Sequence, residues 1–242
     1  MPPYSQLPVV AVTGLTFEAR IAAGPGVVTV CGGGHLARLE ADLIAAIARG
    51  CRGIVSFGIA GGLAEHLEPG ACIVARSIVT PTERHESHLE WASHLLQNIP
   101  GSVHADIAGV SAPVCTPADK LALGRATNSV AVDMESLLCA TMAKVHGLPF
   151  AAVRVVADPS HRALPPAAQI NLLPGGKPDM PAVMRSVMGR PHQIRALVRV
   201  GLDTRTARAA LVRARRMLGP GFGLGEVSEP AIAAQAVVAR AD

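Results

Sequence analysis

Seven short runs built largely from Val, Ile and Ala, separated by segments of helical periodicity, constrain this chain more than any other feature. They lie at residues 8–12, 27–31, 53–57, 71–79, 103–110, 130–132 and 150–157. Several show no polar alternation, which is how strands covered on both faces read. Helical patterns fall between them, at 35–49, 87–98, 117–125, 134–146 and, longest, 190–218. Pro117 and Gly147 stand where helix boundaries need them. Strand and helix in alternation predict an α/β fold of three layers, with the sheet between two layers of helices.

A chain of 242 residues suits one large domain better than two small ones. The expected domain covers residues 1–218, followed by a loose tail over 219–242. Residues 160–181, rich in Pro and with little periodicity, read as a long loop of the kind that forms lids or binding loops. Mean hydropathy is +0.35, yet no apolar run reaches the roughly 18 residues a spanning helix needs. The opening Met1-Pro2-Pro3-Tyr4-Ser5 lacks a signal peptide's basic and apolar regions, so the expected location is the cytoplasm. The five cysteines are dispersed and never in CxxC spacing, which argues against a disulfide framework or a zinc site.

The net charge of +4 gathers late, in Arg195, Arg199, Arg205, Arg208, Arg213, Arg215 and Arg216. With aromatics at 2%, stacking platforms for nucleic acid are lacking. A solvated helix face is one reading of these arginines, and contact with an anionic membrane surface is the other.

Open α/β sheets bind ligands beyond the carboxyl ends of their strands, so acids delivered there suggest a site. Val130-Ala131-Val132-Asp133-Met134-Glu135-Ser136 runs from a buried-looking strand into acid-Met-acid at a helix start. Two such acids can hold a sugar's vicinal hydroxyls while the thioether covers its apolar face. Phe150-Ala151-Ala152-Val153-Arg154-Val155-Val156-Ala157-Asp158 is a second apolar run ending in a carboxylate. Glu18 follows the first run, either as a helix-start acid favoured by the dipole or as part of the same site.

Glycines contribute two further motifs. Gly32, Gly33 and Gly34, before His35, read as a strand-to-helix turn whose amides can face an anion. The spacing Gly32, Gly34, Ala37 formally matches a dinucleotide fingerprint, but the next strand ends in Gly58 where an acid would hold the ribose. Gly58-Ile59-Ala60-Gly61-Gly62-Leu63 reads as a second glycine-rich turn, serving either tight packing or close approach to a phosphate or sugar. Residues 82–90 offer His85 and His88 without HExxH spacing. They read as a polar loop entering a helix, with Arg84 or His85 beside a substrate as the alternative; no metal or cofactor is expected.

In chain order, Glu18, the glycines at 32–34, the 58–63 motif, Val132-Asp133-Met134-Glu135 and Arg154-Val155-Val156-Ala157-Asp158 resemble the purine nucleoside phosphorylase and methylthioadenosine nucleosidase superfamily. Within it the chain is most similar to the hopanoid-associated phosphorylases, through residues 12–26, 57–63 and 155–166 and on through the Arg-rich final helix. The resemblance implies a central mixed sheet and cleavage of adenosylhopane by phosphorolysis, releasing adenine in hopanoid biosynthesis. It also implies a nucleoside and inorganic phosphate as partners, and self-association.

The same resemblance assigns roles. Asp158 would donate or share a proton at purine N7, which requires a raised pKa. Glu135 would bind the ribose hydroxyls beside Asp133, with Met134 beneath the ring. Ala60 and Gly61 would border the sugar, and Val114 would offer its backbone to adenine. Gly32, Gly34, His35 and Arg84 would surround phosphate, with Arg20 as a further source of positive charge. Three departures bear on this. Pro113 stands where relatives stack an aromatic on the base, and Ser56 where some phosphorylases carry a phosphate-binding Arg. Glu18 stands where hydrolytic nucleosidases position the attacking water. Phosphorolysis follows from the closer likeness; hydrolysis of small 5′-substituted adenosines is the alternative, and a non-catalytic nucleoside or lipid binder is a third reading. Hopane is a large hydrocarbon, so the 164–173 loop and the Arg-rich helix would form an open mouth, resting on the inner membrane surface.

Overall fold

The computed structural model of the chain describes residues 6–168, 172–173 and 177–225, with 172, 173, 177, 178 and 191 described by backbone alone. Eight strands form one sheet: β1 (Val9–Thr13), β2 (Val27–Cys31), β3 (Gly53–Gly62), β4 (Cys72–Val79), β5 (Arg84–Glu86), β6 (Val103–Gly109), β7 (Ala131–Asp133) and β8 (Phe150–Asp158). The helices are α1 (Thr16–Ala22), α2 (Leu36–Ala48), α3 (Leu89–Asn98), α4 (Pro117–Thr127), α5 (Ser136–Val145), α6 (Met180–Gly189) and α7 (Ile194–Met217). The expected α/β architecture is the one observed, with a mixed sheet at its centre.

β2, β1, β3 and β8 run parallel, and β8 then pairs antiparallel with β4. β4 pairs with β6, β6 with β7, and β7 returns antiparallel to the far end of β3. The strands β3, β8, β4, β6 and β7 therefore close a ring, and the edges of the sheet fall on β2 and β5 outside it. β3 makes this closure because it is ten residues long: its first part pairs with β1 and β8, and Gly61 and Gly62 pair with β7.

The unbroken apolar strands are buried on both faces, as their sequence implied. Val10 and Val12 of β1 pack on the face covered by α2 and α5, through Leu39, Leu43, Cys139 and Ala143. Val9 and Ala11 face the opposite layer, built by α1, α3 and α7 through Ala22, Trp91, Leu95 and Leu211. Helix boundaries follow local chemistry. Thr116 accepts from the Asp119 amide and Pro117 opens α4, which ends at Asn128 in the left-handed region. Gly147 takes a positive φ just past α5.

Three expectations need correction. Residues 58–63 are not a turn, because β3 continues through Gly62 with a register shift between Ala60 and Gly61. The glycines serve close approach here, not chain reversal. Part of the expected 160–181 loop is ordered: a 3-10 turn spans Pro166–Ala168, Leu172–Leu173 pairs with Lys177–Pro178, and α6 begins at Met180. The expected loose tail is also packed at its start. Phe222 is fully buried edge-on to Phe57, its carbonyl accepts from Trp91 Nε1 at 3.0 Å, and Leu224 is buried too. The rest of that tail, 226–242, lies outside the described residues.

Candidate active site

Glu18 is both a helix-start acid and a member of a buried cluster. Its Oε2 accepts from the amides of Gly14 at 2.9 Å and Leu15 at 2.7 Å, which caps α1. Its Oε1 accepts from Ile59 N of β3 at 2.8 Å, a contact no ordinary cap makes. The residue is 1% exposed. Burial pushes its carboxyl up to about 7; Arg154 pulls it down and Glu135 pushes it further up.

Arg154 is the centre of this cluster and was quoted in the β8 motif without a role. A charge inside a strand covered on both faces is itself the signal, since such a group must be paired. Its guanidinium contacts Asp133, and donates to Ser56 Oγ at 2.5 Å, Glu135 Oε2 at 3.2 Å and Ile59 O at 3.3 Å. Burial works against its charge, but Asp133, Glu135 and Glu18 hold its pKa above the usual value. Ser136 links the set: its hydroxyl donates to Asp133 Oδ2 at 2.5 Å and accepts from the Ser56 hydroxyl at 2.9 Å. Glu135 is raised, first by burial and then by Asp133, against the pull of Arg154.

Glycine permits this density. A Cβ on Gly58 would fall 2.7 Å from both Arg154 Nη1 and Glu18 Oε1. One on Gly14 would fall 2.6 Å from Glu135 Oε1. Glu18 and Glu135 thus meet across Gly14.

Asp158 stands further along the same wall. It pairs in register with Gly61, two residues past Ile59, or roughly 7 Å along the strand. A Cβ on Gly61 would sit 3.9 Å from its Oδ2. Its partner, Lys120 of α4, was not anticipated. Lys120 is 0% exposed and donates to Asp158 Oδ2 at 2.5 Å and to the carbonyls of Pro159 and Arg162, each at 2.9 Å. Three acceptors match the three N–H bonds of an ammonium group. Burial raises Asp158, and the bond from Lys120 opposes that. No local pattern announces Lys120, because buried lysines are rare and its acid lies 38 residues away.

The remaining expected site residues divide. Met134 and Glu135 are half-buried between β7 and α5, and Asp133 is buried. Ala60 is buried in β3, and Val114 packs with Leu63, Ala108 and Val132. Gly32 and Gly33 spend their amides on the carbonyls of Thr13 and Gly14, at 2.9 and 3.0 Å. Gly34 and His35 are exposed beyond them. Arg84 is engaged at β5, where it donates to Ser77 Oγ at 2.6 Å and Asp106 Oδ2 at 2.9 Å. Asp106 also receives Arg76; burial would raise it, but these donors hold it well below the usual range. Among the described residues, no group of three His, Cys, Asp or Glu could hold a metal.

No curated protein matches the chain by sequence. Solved structures match its fold. A methylthioadenosine/S-adenosylhomocysteine nucleosidase from Campylobacter jejuni superposes with a TM-score of 0.61 at 11% identity, covering 87% of this chain and 98% of its own. The Helicobacter pylori nucleosidase of the same name gives 0.58 at 13% identity, covering 76% of this chain and 99% of its own. Futalosine hydrolase of Helicobacter pylori gives 0.58 at 12% identity, covering 86% and 97%. The family model described as "Phosphorylase superfamily" matches residues 2–170, the span that contains Glu18, Glu135, Arg154 and Asp158, and the chain belongs to that superfamily.

Proposed function

We propose that this protein cleaves the N-glycosidic bond of a 5′-substituted adenosine, releasing adenine, with water as the nucleophile. The observation that carries this reading is Glu18, buried, clamped by three backbone amides and set beside Arg154 and Glu135. As the C1′–N9 bond breaks, its electron pair passes to the purine and Asp158 supplies a proton at N7. Glu135 holds the ribose hydroxyls and stabilises the electron-poor sugar. Water adds to C1′ and gives its proton to the Glu18 carboxylate. A phosphate dianion brought to the same place would meet the carboxyls of Glu18, Glu135 and Asp133. The guanidinium that contacts the cluster is already committed to Asp133 and Glu135. The nucleosidase and hydrolase structures that share the fold are consistent with water.

Phosphorolysis keeps support from the closer likeness to the hopanoid-associated phosphorylases, with exposed Gly34 and His35 as the residues left for phosphate. Adenosylhopane is the substrate that likeness suggests, and a lipid-linked nucleoside would be drawn from a membrane by a peripheral protein. Self-association belongs to the same proposal. The test is a mass-spectrometric product assay on adenosylhopane and on a short 5′-alkyl adenosine, with and without phosphate. Phosphate-independent release of adenine and a free ribosyl product is expected. A phosphoribosyl product formed only in phosphate would establish phosphorolysis, and no base release would leave a binding protein.

A further inference from the structure

Two helices outside the site expose stripes that no neighbour covers among the described residues. On α6, Met180, Met184 and Met188 recur every four residues, and on the first turns of α7 so do Ile194, Val198 and Leu202. That spacing puts each set on one side of its helix. All six side chains are between 47% and 72% exposed. Monomeric soluble proteins scatter exposed apolar groups singly, so two ordered stripes in succession call for an occupant.

The charges choose it. From Met180 to Leu202 the sequence contains Arg185, Arg190, Arg195 and Arg199 and no Asp or Glu. A second copy of this chain, in a two-fold contact, would set this patch against itself and bring arginines onto arginines. An anionic lipid surface instead takes the apolar side chains at its acyl boundary and the guanidinium groups at its headgroups. Among the described residues no helix is long and apolar enough to cross a membrane, so contact would be from one side.

We infer that α6 and the first turns of α7 dock on a bilayer bearing anionic lipid. The surface is joined to the catalytic end of the sheet. Asp203, just past Leu202, pairs with Arg162, whose carbonyl accepts from Lys120, the partner of Asp158. Docking there would bring a lipid-linked substrate to the acid that frees its base; that link rests on the proposed function, whereas the docking itself does not.

The experiment is co-sedimentation of the full chain with phosphatidylcholine vesicles, neutral or containing about a third phosphatidylserine. Binding is expected only to the anionic vesicles and should weaken as salt rises. The pair Arg195→Glu and Arg199→Glu should weaken it about tenfold or more. Separately, Met184→Gln with Val198→Gln should weaken it with the charges left in place. Turnover of a soluble 5′-alkyl adenosine by both variants should stay within twofold of the parent's. Equal binding to neutral vesicles, or binding unchanged in both variants, would overturn the inference. So would self-association that both variants abolish in the absence of vesicle binding. Vesicle binding without adenine release by the parent chain would overturn the proposed function and leave docking standing.

Discussion

Lys120 Nζ donates to Asp158 Oδ2 at 2.5 Å from a side chain that solvent does not reach. The pair sets Asp158, the proposed leaving-group acid, between two opposing influences, burial that raises its pKa and a cation that lowers it. Lys120→Met should remove the second and leave the first. A proton donor is active below its own pKa, so the alkaline limb of the kcat profile should move to higher pH. The Pro159 and Arg162 carbonyls would lose their donor as well, and removal of one partner of a buried pair costs about 3 kcal/mol. Denaturant melts alongside the pH profile separate the two effects. A variant that melts lower with an unmoved alkaline limb would make Lys120 structural alone.

Glu18 gives a pH dependence of opposite sign. Its carboxyl is raised from 4.5 to about 7, so the folded chain holds this proton more tightly than the unfolded one across that window. The stability it contributes is present below pH 4.5 and is lost as pH rises through 7. Activity should run the other way. A carboxylate that takes a proton from water must be ionised, so kcat should climb through about pH 7. Glu18→Gln should cut kcat by roughly 10² to 10⁴ and flatten that limb. An unchanged limb in the variant would assign it to another group.

How much of this was legible depends on where each signal lies. The two-sided strands were readable because burial on both faces leaves an unbroken apolar run, and β1 and β8 show it plainly. Asp158 was readable as a candidate from its place at a strand end, and Glu135 and Glu18 from the helix starts that follow β7 and β1. The 58–63 segment was misread because glycine marks both turns and close approach, and only the positions of Arg154 and Glu18 tell the two apart. Lys120 was invisible because its role is fixed by a partner on a different element. Phe222 was hidden by a Gly- and Pro-rich context, though the side chain itself goes to the core. The signals that failed were those set by contact, not by local periodicity.

The docking of Phe222 makes its own prediction. The ring packs 5.0 Å from Phe57, and Arg215 lies over it at 4.6 Å. Phe222→Ala should destabilise the fold by about 3–5 kcal/mol, the usual range for a buried ring. Trp91 Nε1 donates to the Phe222 carbonyl, so the fluorescence of this single tryptophan should report the same transition. A change in stability under 1 kcal/mol would mean that residues 219–225 detach at little cost, as a loose tail would.

Gly58→Ala tests the cluster with one methyl group. The new Cβ would lie 2.7 Å from Arg154 Nη1 and Glu18 Oε1 and 2.8 Å from Glu18 Cδ, closer than real Cβ contacts come. Backbone strain is not the issue, since Gly58 is absent from the glycines with positive φ. The methyl must therefore push the carboxylate off Ile59 N or the guanidinium off Ser56 and Glu135. Overpacking of this kind costs about 1–3 kcal/mol in stability. The loss in kcat should be larger, about 10²-fold, because a shift near 1 Å in a positioning group is enough for that. KM for a 5′-alkyl adenosine should change less than kcat, since in the proposed reading the purine lies at Asp158 and not at Gly58. Equal kcat in parent and variant, at any stability, would mean that Glu18 and Arg154 do not act on the reacting atoms.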